Sequence, residues 1–393
     1  MTFLGFERPD GTAGIRNYVL VIPGGIIANE ICHFVPGTKT LISADSGSGR
    51  TKNDREAIAR ALIGLGCNPN VASVILHSTG LGAGYPELDP QSLAGQIAES
   101  GKRVELIEPR DGNTLGTIVE GIRLARQMVH EASKLRRKPL DDSYLTLGVK
   151  CGASDTTSGI AGNPVVGYIF DKLVKAGGTA FFGENTEIIG AEHILAKRAV
   201  NEEVAKEIIE VAVHTDERAK STGQDIRTVN PVPSNIAGGL TTLEEKSLGA
   251  IEKAGSSPIQ GVLKYAERPK GKGLYFVDCW MTMSSIFMGY AAAGAQLVMF
   301  QLGGGGLKGD GIFYASGGVV APLLWVSANP KTHKVAGWKL DFYAPIIEGK
   351  ETIEESGERL YKNILDIASG TMTKSETLTY IEPNQVYTTE PMF

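Results

Sequence analysis

The chain has 393 residues, 42% hydrophobic and 21% charged, the proportions of a folded protein and not of a disordered one. Its 39 Lys and Arg stand against 44 Asp and Glu, a net charge of -5 with no basic tract, which gives no reason to expect nucleic acid or an anionic membrane as a partner. Cys32, Cys67, Cys151 and Cys279 form no CxxC pair, the start lacks a basic and apolar leader, and no run of about 18 apolar residues occurs; a reducing cytoplasm fits, and a zinc ribbon, a disulfide framework or a membrane span does not.

The length favours two or three domains. In chain order, Tyr18 to Ile22, Thr40 to Ser43, Val71 to Leu76 and Arg103 to Ile107 read as short buried strands. Helical patterns lie between them, clearest over Asn53 to Gly66 and Asn113 to Arg137. Strand and helix repeated in this way predict a parallel sheet covered by helices. The charged segment Lys134 to Pro139, followed by Asp141-Asp142, reads as a linker, with a domain boundary near residue 140.

A second unit opens with the strand Leu145 to Lys150, followed by a helix from Asn163 to Ala176 and a strand Thr179 to Phe182. Asn201 to Lys220 is a helix with an apolar stripe, and residues 221 to 240 lack periodicity and read as a functional loop. Thr241 to Lys253 is a helix whose Thr242 and Glu245 have capping-box spacing. Strands over Leu274 to Val277 and Leu297 to Phe300, a helix Ser285 to Ala293 between them, an apolar run at 319 to 326 and a helix Thr352 to Ala368 complete the chain.

Glycine is the anomaly, 49 of 393 residues, clustered beside apolar runs where loops at strand ends need positive φ or close backbone approach. Three constellations bear chemistry. Cys151, Ser154 and Asp155 follow a strand, where open α/β sheets bind ligands. Glu184, Glu187, Glu192 and His193 supply three carboxylates and an imidazole within ten residues, a donor set suited to Fe(II), Mn(II) or Mg(II), although adjacent Glu192 and His193 point about 100° apart on a helix. Asn235, Gly238, Gly239, Thr241 and Thr242 lead into a helix N-terminus, an arrangement that favours an anion. Asp278-Cys279, the turn Gly303 to Gly306 with Lys308 and Asp310, and His77-Ser78-Thr79 are lesser candidates. The spacings of a P-loop, a GxGxxG dinucleotide fingerprint and a GxSxG nucleophile elbow are absent.

The segments Gly14-Ile15-Arg16-Asn17, Cys151-Gly152-Ala153-Ser154-Asp155, Gly190-Ala191-Glu192-His193 and the long run Gly238 to Gly249 (GGLTTLEEKSLG) together resemble the altronate/galactarate dehydratase (UxaA) family over nearly the whole chain. That resemblance implies a Rossmann-like α/β domain over residues 1–140 and a second, catalytic α/β domain over 141–393. It also implies a metal-dependent hydro-lyase, with Fe(II) foremost, that converts a sugar acid to a 2-keto-3-deoxy acid. The family includes the large subunit of sulfolactate sulfo-lyase, which expels sulfite, so that activity or noncatalytic sugar-acid binding are alternatives. A separate small SAF-type partner chain and self-association are expected. On this reading Glu184, Glu187, Glu192 and His193 hold the metal, His193, Lys246 and Asp155 are catalytic, and Cys151, Ser154, Asn235, Gly238, Gly239, Thr241 and Thr242 bind substrate. The chain departs from the family at Gly47-Ser48-Gly49 and Gly82-Ala83-Gly84, where the dehydratase branch carries cysteines, and at Asp278-Cys279-Trp280-Met281.

Overall fold

Two parallel sheets carry most of the chain, and the reason is visible in their central strands, which are apolar on both faces as helix-covered parallel strands must be. The computed structural model describes residues 1–43, 45–81, 84–109, 112–306, 317–378 and 384–393; Gly82, Ala83, Lys308 and Asp310 lie outside the described residues. Both units are α/β, as expected.

In the first sheet the order is Thr38–Thr40, Tyr18–Ile22, Val71–His77, Arg103–Ile107, all parallel. Val19 and Val21 face the helices Ile26–Phe34 and Thr114–Ala132, while Leu20 and Ile22 face Lys52–Cys67 and Pro90–Ala98. Thr51 and Asn113 cap two of these helices by accepting from the N–H groups of Asp54 and Gly116.

The second sheet has seven parallel strands among the described residues, in the order Ile259–Leu263, Gly273–Val277, Thr179–Phe182, Thr146–Gly152, Leu297–Leu302, Leu323–Ser327, Phe342–Tyr343. The chain leaves Thr146–Gly152 toward one edge and later returns to its other side with Leu297–Leu302. That reversal makes the carboxyl end of Thr146–Gly152 a topological switch point, the place where such sheets bind ligands. Helices Asn163–Lys175, Glu202–Ser221 and Ile353–Ala368 cover one face.

The other face shares a single apolar cluster with the first sheet: Leu62, Val74 and Leu76 pack with Phe287, Phe300 and Trp325. Helix Lys52–Cys67 lies so close to helix Met283–Ala293 that a Cβ on Gly64 would stand 2.3 Å from the carbonyl oxygen of Ala292. The segment read as a linker is instead a strand, Lys138–Asp141, paired antiparallel with Thr2–Glu7. Leu140 and Phe3 turn inward from this pair to the core of the second sheet, which is what ties the segment down. The edge strand Ile259–Leu263 went unread because Gln260 and Gly261 interrupt its apolar pattern. Among the described residues no helix is long and apolar enough to cross a membrane.

Asn70 locks the two units together. Its Oδ1 accepts from the N–H groups of Ile15 (2.8 Å) and Arg16 (3.2 Å), and its Nδ2 donates to the carbonyls of Gln296 (2.7 Å) and Val320 (2.9 Å). Asn70→Ala would leave four backbone groups unpaired in a fully buried joint, so denaturant unfolding should show a loss of roughly 3 kcal/mol. A loss under about 0.5 kcal/mol would show that the joint does not depend on these bonds.

Candidate active site

After Thr146 the strand Thr146–Gly152 is apolar except for Lys150, and it delivers Lys150 and Cys151 to the switch point, both buried. The neighbouring strand Thr179–Phe182 runs through Gly183 into Glu184, a non-glycine residue held at φ 76°, and then into a single turn, Asn185–Glu187. Backbone held in that left-handed region costs free energy, and such outliers concentrate at functional sites. Asn185 fastens the turn to the next strand end: its N–H donates to the Cys279 carbonyl at 3.0 Å and its Oδ1 accepts from the Cys279 N–H at 2.9 Å. Glu184 and Glu187 are thereby aimed at the same buried point as Cys151.

Two further lysines arrive from helix Leu243–Ile251 and the turn after it. Lys246 and Lys253 are seven residues apart, close to two helical turns, so both face the sheet end. Every carboxylate oxygen of the two glutamates meets an ammonium. Glu184 Oε1 accepts from Lys150 at 2.9 Å and Oε2 from Lys253 at 2.5 Å; Glu187 Oε2 accepts from Lys253 at 3.1 Å, and Oε1 lies 3.4 Å from Lys246. Lys253 also donates to Cys151 Sγ at 3.2 Å, and the Cys151 thiol donates to Glu187 Oε2 at 2.8 Å.

Burial alone would raise the Glu187 pKa, but Lys253, Lys246 and Lys150 outweigh it and hold the carboxyl far below the usual range. For Lys253 burial works against the charge, and Cys151, Glu184 and Glu187 overcome it, so its ammonium is held well above the ordinary lysine value. Burial, with Glu184 and Glu187 beside it, pushes the Cys151 thiol up and keeps it protonated. Three ammonium groups thus face two carboxylates and a neutral thiol, an excess of one positive charge inside the protein.

The donor atoms of Cys151, Glu184 and Glu187 lie within 4.8 Å of one another, a spacing that one metal ion could bridge. The expected ion does not fit beside the side chains present. The three ammonium hydrogens of Lys253 are committed to those same three donors, and a divalent ion among them would stand against three positive charges.

Beside the cluster opens a cleft of about 340 Å³ lined by Ser154, Asp155, Asn163, Lys246 and Leu248 among others. Lys246 is the one lysine of the three that lines it, held by Asn230 Oδ1 at 2.9 Å and Asn235 Oδ1 at 3.4 Å. Asn163 Oδ1 and Asn230 Nδ2 are buried with no hydrogen-bond partner among the described residues. The cleft therefore combines a cationic group suited to a carboxylate with one unpartnered acceptor in its lining, Asn163 Oδ1, suited to a hydroxyl, a setting for a small hydroxy acid.

The expected convergence divides. Glu184, Glu187, Cys151 and Lys246 come together; Glu192 and His193 do not. The helix there is one short turn, Glu192–Ala196, whose Glu192 folds back to accept from the Gly190 N–H, and His193 faces solvent. Asp155 reaches the cleft, but its oxygens are engaged: Oδ2 accepts from Gly305 N–H and Asn329 Nδ2, both at 2.7 Å, and Oδ1 from Thr157 Oγ1 at 2.6 Å and Ser158 N–H at 3.1 Å. It holds the Gly303–Gly306 turn to the sheet end.

Ser154 lines the cleft, and its carbonyl accepts from Asn235 Nδ2 at 2.9 Å, which pins the 231–240 segment in place. The anion site expected at the next helix is filled from within. Thr242 Oγ1 accepts from Glu245 N–H at 3.1 Å, and the Glu245 carboxylate takes the Thr241 N–H at 2.6 Å. Gly238 and Gly239 serve close chain approach, since Cβ atoms there would stand 2.7 Å from Asp155 Cβ and 2.4 Å from Thr156 Oγ1.

Of the lesser candidates, His77 bonds the Pro23 carbonyl at 2.9 Å in the first unit, and Asp278 accepts from Asn185 at 2.6 Å beside a second cleft of about 470 Å³ lined by Arg218, Trp280 and Tyr387. Lys253 and Asn230 were missed, and Lys150 was placed at the strand end without a role. A lysine closing an otherwise apolar strand, and a second lysine seven residues after Lys246, were the available signals.

Comparison with known proteins finds matches along nearly the whole chain. A family model described as D-galactarate/Altronate dehydratase, C-terminal, matches residues 142–390, and one described as D-galactarate dehydratase/Altronate hydrolase, second domain, matches residues 5–133. The chain is 36% identical to (2R)-sulfolactate sulfo-lyase subunit beta of Chromohalobacter salexigens over 97% of this chain and 96% of that one. It is 32% identical to altronate dehydratase of Bacillus subtilis, covering 95% of this chain and 75% of the relative, and 32% identical to galactarate dehydratase (L-threo-forming) of Escherichia coli, covering 79% and 59%.

The cluster sets a pH dependence. A carboxyl held below its unfolded value adds stability in full above the unfolded pKa near 4.3, and that contribution is lost as the pH falls toward the folded value. The raised Lys253 contributes below about 10.4 and loses its share only in alkali. Between about pH 5 and pH 8 the cluster should therefore leave stability level; stability should fall below about pH 4.3, and again above about pH 8, where the thiol of the unfolded chain ionises and the buried Cys151 does not. Urea unfolding of Glu187→Gln should show an acid limb shallower by up to about 1.4 kcal/mol per pH unit, and an unchanged slope would mean that Glu187 is not held ionised.

Proposed function

Since the chain belongs to the D-galactarate/altronate dehydratase family, we propose that it is a lyase acting on a small 2-hydroxy carboxylate in the cleft between Asp155 and Lys246. The C2 proton is removed, the bond to the substituent on C3 breaks, the substituent departs with the electron pair of that bond, and the resulting enol tautomerises to a 2-keto acid. For a sugar acid the departing hydroxyl takes up one proton, balancing the one removed from C2, and leaves as water, and the product is a 2-keto-3-deoxy acid.

The observation that carries this reading is the position of Lys246. It lines the cleft on one side and stands 3.4 Å from Glu187 on the other, so it touches both bound acid and the buried charge network. A cation there offsets the negative charge that develops on the enediolate when C2–H is broken. It also provides a route for a proton between the cleft and Glu187. Asn230 and Asn235 hold its ammonium in position, and Ser154 and Asn163 supply polar wall. Because Lys253 engages Cys151, Glu184 and Glu187, no step is assigned to a metal at the cluster.

A second reading, with sulfite as the leaving group of sulfolactate, is favoured by similarity to the sulfo-lyase beta subunit along nearly the full length of both chains. That relative is a beta subunit, which supports a partner for this chain too, and the partner proposed is a separate small chain. Purified chain with the small chain from the same source is to be assayed for 2-keto acid and for sulfite on altronate, galactarate and sulfolactate. One of these should turn over. Lys246→Gln should lower kcat by about 100-fold or more, whereas His193→Ala, altered on an exposed face, should stay within about twofold. Full activity in Lys246→Gln would remove the cleft from the reaction.

A further inference from the structure

Among the described residues the densest group of buried charges is also the one where an expected ion meets an obstacle. A tripod of one thiol and two carboxylates with the spacing of a metal site would ordinarily leave its lone pairs converging on an open point. Here that point holds the Lys253 nitrogen, 2.5 Å from Glu184 Oε2, 3.1 Å from Glu187 Oε2 and 3.2 Å from Cys151 Sγ. An ammonium has three hydrogens, and three acceptors surround it. The remaining carboxylate oxygens face Lys150 and Lys246, and the Cys151 N–H donates to Glu184 Oε2 at 3.1 Å.

We propose that Lys253 is the resident cation of the Cys151, Glu184 and Glu187 tripod, standing where a divalent ion would, and that the chain takes no metal at this position. Three consequences follow from the contacts. The tripod keeps its geometry without a metal, because each donor is bonded to an ammonium. Its charge cannot be stripped by a chelator, because the cation is covalently part of the chain. Removal of the Lys253 side chain leaves two buried carboxylates and a thiol short of a cation and opens the space that the lysine filled, which is the condition for a metal site. The claim concerns occupancy and stands apart from the lyase reading, so its test does not read turnover.

The probe is Co(II), added anaerobically to the folded full-length chain and followed by the thiolate-to-cobalt charge-transfer band and by bound metal after dialysis. Wild type should show no band and the same cobalt uptake as Cys151→Ser. Lys253→Ala, checked for native circular dichroism, should gain the band at one cobalt per chain with affinity at least about 100-fold above wild type, and Lys253→Ala with Cys151→Ser should lose it. A band in wild type that disappears in Cys151→Ser overturns the proposal, as does a folded Lys253→Ala chain that takes no cobalt. If Lys253→Ala fails to fold, the comparison of wild type with Cys151→Ser decides alone.

Discussion

Charges removed from water must be neutralised by neighbours, and the centre of this protein is arranged around that requirement. Lys150, Lys246, Lys253, Glu184 and Glu187 are all buried at the carboxyl ends of parallel strands. Isolated, any one of them would cost several kcal/mol. Together they satisfy one another, and each depends on a separate piece of chain: a strand for Lys150, a left-handed turn for the glutamates, a helix and its last turn for the other lysines. The order of the seven-stranded sheet brings those pieces to one place. Removing any partner leaves a buried ion exposed to an apolar surround, so the network fixes the relative positions of elements more than a hundred residues apart in the chain.

Around this centre the loops are held by polar side chains whose capacity is nearly used up. Asp155 accepts from the Gly303–Gly306 turn, from Asn329 and from its own helix start, and Asn235 ties the 231–240 segment to Ser154. The glycines at 238 and 239 let that segment lie against Asp155 and Thr156. The result is a cleft whose walls are tied by hydrogen bonds and whose lining includes Lys246, between the cleft and the buried charges. Chemistry that generates a negative charge on a bound acid gains from such a lining, because the compensating cation is already oriented before the reaction starts.

The sequence made the scaffold readable where burial and periodicity agree. Strands such as Tyr18–Ile22 and Thr179–Phe182 are continuous apolar runs, and Asn113 and Thr352 mark helix starts by their caps. The reading of strand-end donors, with the family motif around Lys246, led to Glu184, Glu187, Cys151 and Lys246. It did not separate them from His193 and Glu192, because which way a side chain points after a strand depends on the φ of Glu184 and on a helix of only one turn, neither of which leaves a periodic trace. Lys253 was hidden for a different reason. A lysine at a helix end reads as a solvated charge favoured by the dipole, and only tertiary packing turns it inward. Similarly the Lys138–Asp141 strand looked like a linker, since its partner is the start of the chain, over a hundred residues away.

The family to which the chain belongs supports a lyase, and the proposed reaction on a 2-hydroxy acid draws its positive charge from lysines and not from the metal that the resemblance implied. On the proposed reading Lys246, which lines the cleft, is the lysine presented to a ligand. A crystal structure of the chain with a bound, non-reacting 2-hydroxy acid tests this most directly. The account predicts the ligand carboxylate or its 2-hydroxyl within about 3 Å of Lys246 Nζ, in the cleft bordered by Asp155 and Asn163. A ligand seated instead in the cleft of Arg218, Asp278 and Trp280, with Lys246 untouched, would contradict it.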